Sequence, residues 1–201
     1  MRHGETDWNR QKRVQGKRDI PLNSHGNSQA KALAKALNKL RPQAIYASPL
    51  SRAFVTAEII AAEHGISPKP VVALAELDHG LWEGLTIEQV RADFPEQLAL
   101  WLTQPQLLEL PQGESLELLL KRALPALGEI RSQHQAGETV IVVAHEAVNR
   151  TLLCHFLGWD LASFRSVKQE NSAVNLIRFY AEHSCVSLLN DTCHLKQAFH
   201  K

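Results

Sequence analysis

The stretch "TVIVVAH" at 139–145 constrains this chain more than any other, because six residues run without a charge before they end on a histidine. A β-branched run that does not alternate with polar residues reads as a strand covered on both faces, the habit of parallel strands inside α/β folds. The neighbouring segments agree. From Ser24, residues Ala30, Leu33, Ala34, Leu37 and Leu40 recur at three- and four-residue steps, which predicts a helix stopped by Pro42. "QAIYAS" (43–48) reads as a short buried strand with Pro49 at the turn after it. A second helix carries Phe54, Ala57, Ile60 and Ala61 on one face and ends near Gly65.

Further on, "PVVALAEL" (70–77) reads as a strand, and a long helix is expected at about 115–135 with a kink at Pro125. A helix through "AVNRTLLCHFLG" ends at Gly158, and "AVNLIRFY" and "CVSLLN" read as two more strands. Between about 80 and 117 the pattern is irregular, with short helical pieces near 86–94 and 96–103. Strands alternating with helices predict an α/β three-layer sandwich with a mostly parallel central sheet flanked by helices. At 201 residues the chain reads as a single domain, 1–201, with a small inserted cap at about 80–117.

Charge and composition exclude several classes of function. The net charge of +1 predicts no nucleic-acid partner and no attraction to an anionic membrane. No apolar stretch approaches the roughly 20 residues that span a bilayer, and no apolar region follows Met1 as a signal peptide would. Three cysteines without a CxxC pair fit a reducing cytoplasm, not a disulfide framework or a structural zinc site. Nothing in the sequence fixes an oligomeric state. Local charge is uneven: residues 1–18 hold six bases against two acids, and residues 63–117 hold ten acids against two bases. An acidic cap is expected to disfavour leaving groups that carry further negative charge.

Open α/β sheets bind ligands beyond the carboxyl ends of their strands, and that is where the polar groups of this chain fall. Ser48, Ser51 and Arg52 follow "QAIYA", Glu76 ends "PVVALA", and His145 ends "TVIVVA". With Arg2 and His3 they make two arginines, two histidines and one carboxylate. That set suits phosphoryl transfer without a metal or other cofactor. Arginine's planar fork matches phosphate oxygens, and a neutral imidazole is a good nucleophile near neutral pH. A carboxylate of raised pKa can protonate the leaving alkoxide and then activate water. There is no GxxxxGK loop, no GxGxxG after a strand, no HExxH and no GxSxG. His25, His64, His134, His155, His183, His194 and His200 show no metal-ligand spacing.

"RHGET" (2–6) resembles the signature of the histidine phosphatase superfamily, also called phosphoglycerate mutase-like. The similarity continues through "WNRQKRVQGKRDIPLNSHGNSQA", "YASPLSRAFVTAEII", "LAELDHGLWEG" and "VVAHEAVNRTLL". The resemblance implies that His3 is the nucleophile and forms a phosphohistidine. It implies that Arg2, Arg52 and His145 hold the phosphoryl oxygens with help from Asn9, and that Glu76 is the proton donor. Gln15 and Gly16 are candidate substrate contacts, as is His79, three residues after Glu76. Trp82, Phe94 and Trp101 either line a cap pocket or pack in the core. The implied activity is metal-independent hydrolysis of a small phosphorylated metabolite, by a phosphoric monoester hydrolase of histidine acid type. Glu76 and His145 lie 69 positions apart, which suits the short phosphatase branch. The alternatives are phosphoglycerate mutase-type transfer and a catalytically inactive phosphate-binding member.

Two departures stand out. Glu146 follows the second histidine where many members have glycine, and its carboxylate is expected to point away from the phosphate or to touch the leaving group. Family members also carry an apolar strand immediately before "RHG". The first strand is therefore expected to be missing here, with Met1 a valine codon read as a start and the 201-residue form inactive or poorly folded.

Overall fold

The computed structural model describes residues 1–196. The two apolar runs pair in parallel. Strand β1 (Ala44–Ala47) carries the two-residue β2 (Lys69–Pro70) on one edge and β3 (Val140–Val143) on the other, giving the order β2-β1-β3. The register runs from Ala44 opposite Val140 to Ala47 opposite Val143. Side chains alternate across this sheet, as the period of a strand requires. Ile45, Ala47, Ile141 and Val143 pack on one face against α2 (Ser24–Leu37) and α3 (Ser51–Ala62), where they meet Leu33, Ala57 and Ile60. Ala44 and Tyr46 pack on the other face with Leu119 of α6 (Leu116–Ser132) and Val148 of α7 (Glu146–Phe156). Helices on both faces of a parallel sheet make the three layers that the alternating pattern predicts.

Residues 1–3 continue the sheet beside the end of β3. Ala144 N–H donates to the Met1 carbonyl at 2.9 Å, and His3 N–H donates to the Ala144 carbonyl at 3.1 Å. On the other side, Arg2 N–H donates to Ala173 at 3.1 Å and Ser172 N–H donates to His3 at 3.0 Å. The gap expected ahead of the signature is not seen next to Ala144; the backbone groups there have partners. Beyond Ala173 the chain folds into an antiparallel hairpin of β4 (Val174–Phe179) and β5 (Ser184–Asp191).

"PVVALAEL" does not form the strand expected of it. Pairing stops at Pro70, residues Val72–Leu74 wind into a 3-10 turn, and Val72 is 77% exposed. The reason lies elsewhere in the chain. The Arg122 guanidinium of α6 donates to the carbonyls of Ala73, Ala75 and Glu76, at 2.7, 2.8 and 3.0 Å. Backbone acceptors that a sheet neighbour would satisfy are satisfied by a side chain. The stretch after it holds α4 (Ile87–Asp93), opened by a Thr86–Gln89 capping box, and α5 (Pro95–Thr103). Pro125 lies inside α6, which runs unbroken to Ser132. Among the described residues no helix is long and apolar enough to cross a membrane.

Glycine is required where the signature loop meets α2. A Cβ on Gly26 would stand 2.0 Å from the Glu5 carbonyl oxygen, and one on Gly4 would stand 2.5 Å from the Gly26 carbonyl oxygen. Both obstacles are backbone, so neither can swing aside. Gly26→Ala is expected to destabilise the protein by about 1–3 kcal/mol in a urea titration, and to move residues 3–6 away from α2. An unchanged midpoint would contradict this close approach.

Candidate active site

The signature is held from both ends. Thr6 caps α1 (Asp7–Arg10) by accepting from Asn9 N–H, and the Asn9 side chain accepts from Thr6 N–H in return. His3 is 2% exposed, and its Nδ1 lies 2.6 Å from the Gly4 carbonyl oxygen. A carbonyl only accepts, so Nδ1 carries the proton and Nε2 keeps its lone pair. The His145 ring, at the N-terminus of α7, lies against that of His3 with 5.1 Å between centroids. Its Nε2 is 2.7 Å from Ser48 Oγ, which already accepts from Leu50 N–H. The Nδ1 of His145 is buried and has no partner among the described residues.

Arg52, at the start of α3, is 1% exposed and gives its two terminal nitrogens to the carbonyls of Arg18 and Gly16, both at 2.8 Å. Its Nε has no partner, and neither does Nε of Arg2. Arg2 donates to the Gln169 carbonyl and pairs with Glu146 at 2.9 Å. Buried guanidinium nitrogens left open beside a histidine lone pair suit an anion shared between them. Burial pushes the Arg52 guanidinium down to about 10, so it stays charged at neutral pH.

Glu76 closes the set. Its Oε1 accepts from Leu77 N–H at 2.9 Å and its Oε2 from Ala147 N–H at 3.3 Å, so the loop that carries it and the start of α7 fix the carboxylate together. Arg122 holds the backbone behind it, with Nε and Nη2 on the two oxygens of Glu114 at 2.6 and 2.8 Å.

Arg2, His3, Arg52 and Glu76 line one cavity of about 200 Å³. Asn9, Gln15, Gly16, His79 and Glu146 line it as well. Asn9 Oδ1 accepts from Thr6 and from Asn171 Nδ2 at 3.2 Å, which leaves its amide N–H groups as donors for the site. Gln15 is tied to Thr6 Oγ1 at 3.0 Å. Gly16 takes φ +52°, a conformation that favours glycine, and thereby presents its carbonyl to Arg52. His79 donates Nδ1–H to the Leu77 carbonyl at 2.9 Å and meets the edge of Trp101. His145 differs from the rest: it is fully buried against His3 and is not among the lining residues.

Glu146 does not point away. It bridges Arg2 and Arg150, at 2.9 and 2.8 Å, so its charge is matched within the pocket wall. Trp82 is a buried core residue whose ring also lines the cavity, Trp101 lines it while packing against the same core, and Phe94 packs against Trp82 with 6.4 Å between ring centroids. The acids of 80–117 do not reach the cavity; that stretch lines it with Trp82, Ile87, Leu98 and Trp101. Arg122, Arg150 and Gln169 are the contributors that strand-end reasoning misses. Arg122 and Gln169 find carbonyl or guanidinium partners far off in the chain, whereas Arg150 pairs with Glu146 one helical turn before it.

Both histidines are held neutral. Burial first, then the charges of Arg52 and Arg2, push His3 well below its ordinary value of 6.5; burial, Arg52, His3 and Arg2 do the same to His145. The unfolded chain binds protons at these sites from about pH 6.5 downward while the folded chain does not, so stability is full above that pH and falls below it. Lowering the pH from 6.5 to 5 is expected to lower the stability, with both imidazoles contributing. A pH series of denaturant titrations checks this, and His145→Gln is expected to halve the slope. A flat profile through this window would contradict neutral, buried imidazoles.

The model of the histidine phosphatase superfamily (branch 1) matches residues 1–192. The chain belongs to the histidine phosphatase superfamily. Phosphoserine phosphatase 1 of Hydrogenobacter thermophilus is 35% identical over 199 residues, 99% of this chain and 94% of that relative. A metal-independent phosphoserine phosphatase of Arabidopsis thaliana is 34% identical, over 97% of this chain and 81% of its own. The solved structure of Bacillus stearothermophilus YhfR superposes with a TM-score of 0.92 at 33% identity, covering 96% of each chain. The superfamily resemblance read from "RHGET" and its companion stretches holds, and the parallel sheet flanked by helices is the fold these neighbours share.

Proposed function

We propose that this chain hydrolyses a small phosphomonoester through a covalent phosphohistidine on His3. The observation that carries the reading is the bond from His3 Nδ1–H to the Gly4 carbonyl, which leaves a lone pair on Nε2 in a cavity that Arg2 and Arg52 also line. In the first step Nε2 attacks phosphorus, the bond from phosphorus to the leaving oxygen breaks, and Glu76 gives that oxygen a proton. In the second, Glu76 takes a proton from water, the water oxygen attacks phosphorus, and the N–P bond breaks. Inorganic phosphate leaves, and His3 and Glu76 return to their starting states.

Arg2 and Arg52 balance the dianion through the phosphoryl transfer, and their unpartnered Nε groups are free to donate to it. Asn9 supplies a further neutral donor. Residues 80–117 act as a cap within a single domain and give the leaving group an apolar wall. The names of the relatives, phosphoserine phosphatases among them, support a small phosphorylated metabolite as substrate. A panel of phosphomonoesters offered to EDTA-treated protein tests the reading. Release of inorganic phosphate with undiminished turnover is expected; failure to hydrolyse any of them, or loss of turnover on chelation, would overturn it.

A further inference from the structure

The direction in which Arg52 points is set by a loop. Its two terminal nitrogens donate to the carbonyls of Arg18 and Gly16, which lie between α1 and α2 outside any helix or strand. Such a loop holds one position only where its backbone is tied down. The tie is Glu83. Its side chain is 9% exposed, and its Oε1 accepts from Lys17 N–H at 2.7 Å. Oε1 also accepts from His79 N–H at 3.3 Å, and Oε2 stands 3.4 Å from Nε of Arg18.

The carbonyl of Gly16 and the N–H of Lys17 belong to one peptide unit. A trans peptide is planar, and its C=O and N–H point in opposite directions. That unit therefore lies between two charged groups, with the Glu83 carboxylate on its N–H and the Arg52 guanidinium on its oxygen. Both bonds are charge-assisted, and each polarises the peptide in the sense that strengthens the other. The glycine takes part: at φ +52° it turns this peptide, and a Cβ there would collide with Oε1 of Glu83. Burial lowers the Arg52 pKa, and the Glu83 charge is among those that oppose the fall. Glu83 is not among the residues that line the cavity, so it reaches a bound anion only through Arg52.

We propose that Glu83 is a positioning residue for the phosphoryl group, acting through the peptide between Gly16 and Lys17 to fix the Arg52 fork. The proposal rests on the phosphatase reading above for the identity of the anion. The contacts that carry it are those of the carboxylate, the peptide and the guanidinium.

Orthovanadate, a mimic of the phosphoryl group, reports the grip on the anion without turnover. In calorimetric titration of the full chain, Glu83→Ala is expected to weaken its binding by about 10–100-fold, the scale on which loss of an outer orienting partner acts at metal sites. Glu83→Gln, whose amide oxygen still accepts from Lys17 N–H, is expected to stay within about fivefold of the unaltered chain. In an Arg52→Lys background, where the ammonium lacks the fork, Glu83→Ala is expected to cost less than about threefold more. A carboxylate with a merely structural role would cost the same in both backgrounds. If Glu83→Ala does not fold, Glu83→Asp, one methylene short of Lys17 N–H, carries the same expectation.

Unchanged binding in Glu83→Ala, a cost undiminished by Arg52→Lys, or a loss in Glu83→Gln as large as in Glu83→Ala would each overturn the proposal. So would an unaltered chain that binds no orthovanadate. Phosphate release is a separate readout: a chain that binds orthovanadate and hydrolyses no phosphomonoester sinks the phosphatase reading, and the affinity cycle still decides the role of Glu83.

Discussion

His3→Ala is expected to lower kcat for every phosphomonoester by roughly 10⁴–10⁶-fold, the scale on which removal of an attacking nucleophile acts. The prediction follows from how the ring is held. Its proton is committed to the Gly4 carbonyl, and burial with two nearby guanidiniums keeps the imidazole neutral. No other lining residue offers a neutral nitrogen lone pair in the same environment, since His79 stands beside Trp101 toward the apolar wall. Ligand affinity is expected to survive far better than turnover, because the guanidiniums remain. Stopped assays for phosphate release, with near-ultraviolet circular dichroism as a check on folding, make the measurement. A variant that keeps more than about 1% of the turnover would mean that chemistry does not pass through this ring.

Arg122→Lys is expected to lower kcat for alkyl phosphomonoesters by about 100-fold, although Arg122 is not among the residues that line the cavity. Five hydrogen bonds use the whole guanidinium: two to Glu114 and three to the carbonyls of Ala73, Ala75 and Glu76. A lysine ammonium cannot reproduce that fork. The segment freed is the one that carries Glu76, the proposed proton donor, so protonation of the leaving oxygen is expected to suffer. The diagnostic is the leaving group. p-Nitrophenyl phosphate releases an anion that departs without a proton, and its loss is expected to be at least tenfold smaller than that of an alkyl ester. Equal losses on both substrates would mean general damage to the site and would remove Arg122 from the positioning of Glu76.

The parts of this protein legible in the sequence are those whose cause is local. The spacing of Ala30, Leu33, Ala34 and Leu37 places the buried face of α2, and all four are buried. The run ending at His145 marks β3 and the start of α7. His3, Arg52 and Glu76 were identifiable because a strand end or a family signature flags each, and one cavity gathers them. Other features depend on distant partners. The strand read into "PVVALAEL" fails because a guanidinium from α6 takes its carbonyls. Gly16 holds Arg52 with its carbonyl, 36 positions away. Glu146 finds its charge partners in Arg2 and Arg150, one at the start of the chain and one a helical turn ahead. The short α1 leaves no apolar period to read, yet its Thr6–Asn9 capping pair was a usable signal.

The most direct measurement is a rapid-quench experiment with a substrate labelled in its phosphoryl group. The label is expected to appear on the protein in a burst of about one per chain, stable to base and released by acid. Mass spectrometry of the digested, base-quenched protein should place it on His3, and the His3→Ala variant should take up none. Steady turnover with no labelled protein, or a label on any other residue, would contradict the covalent route.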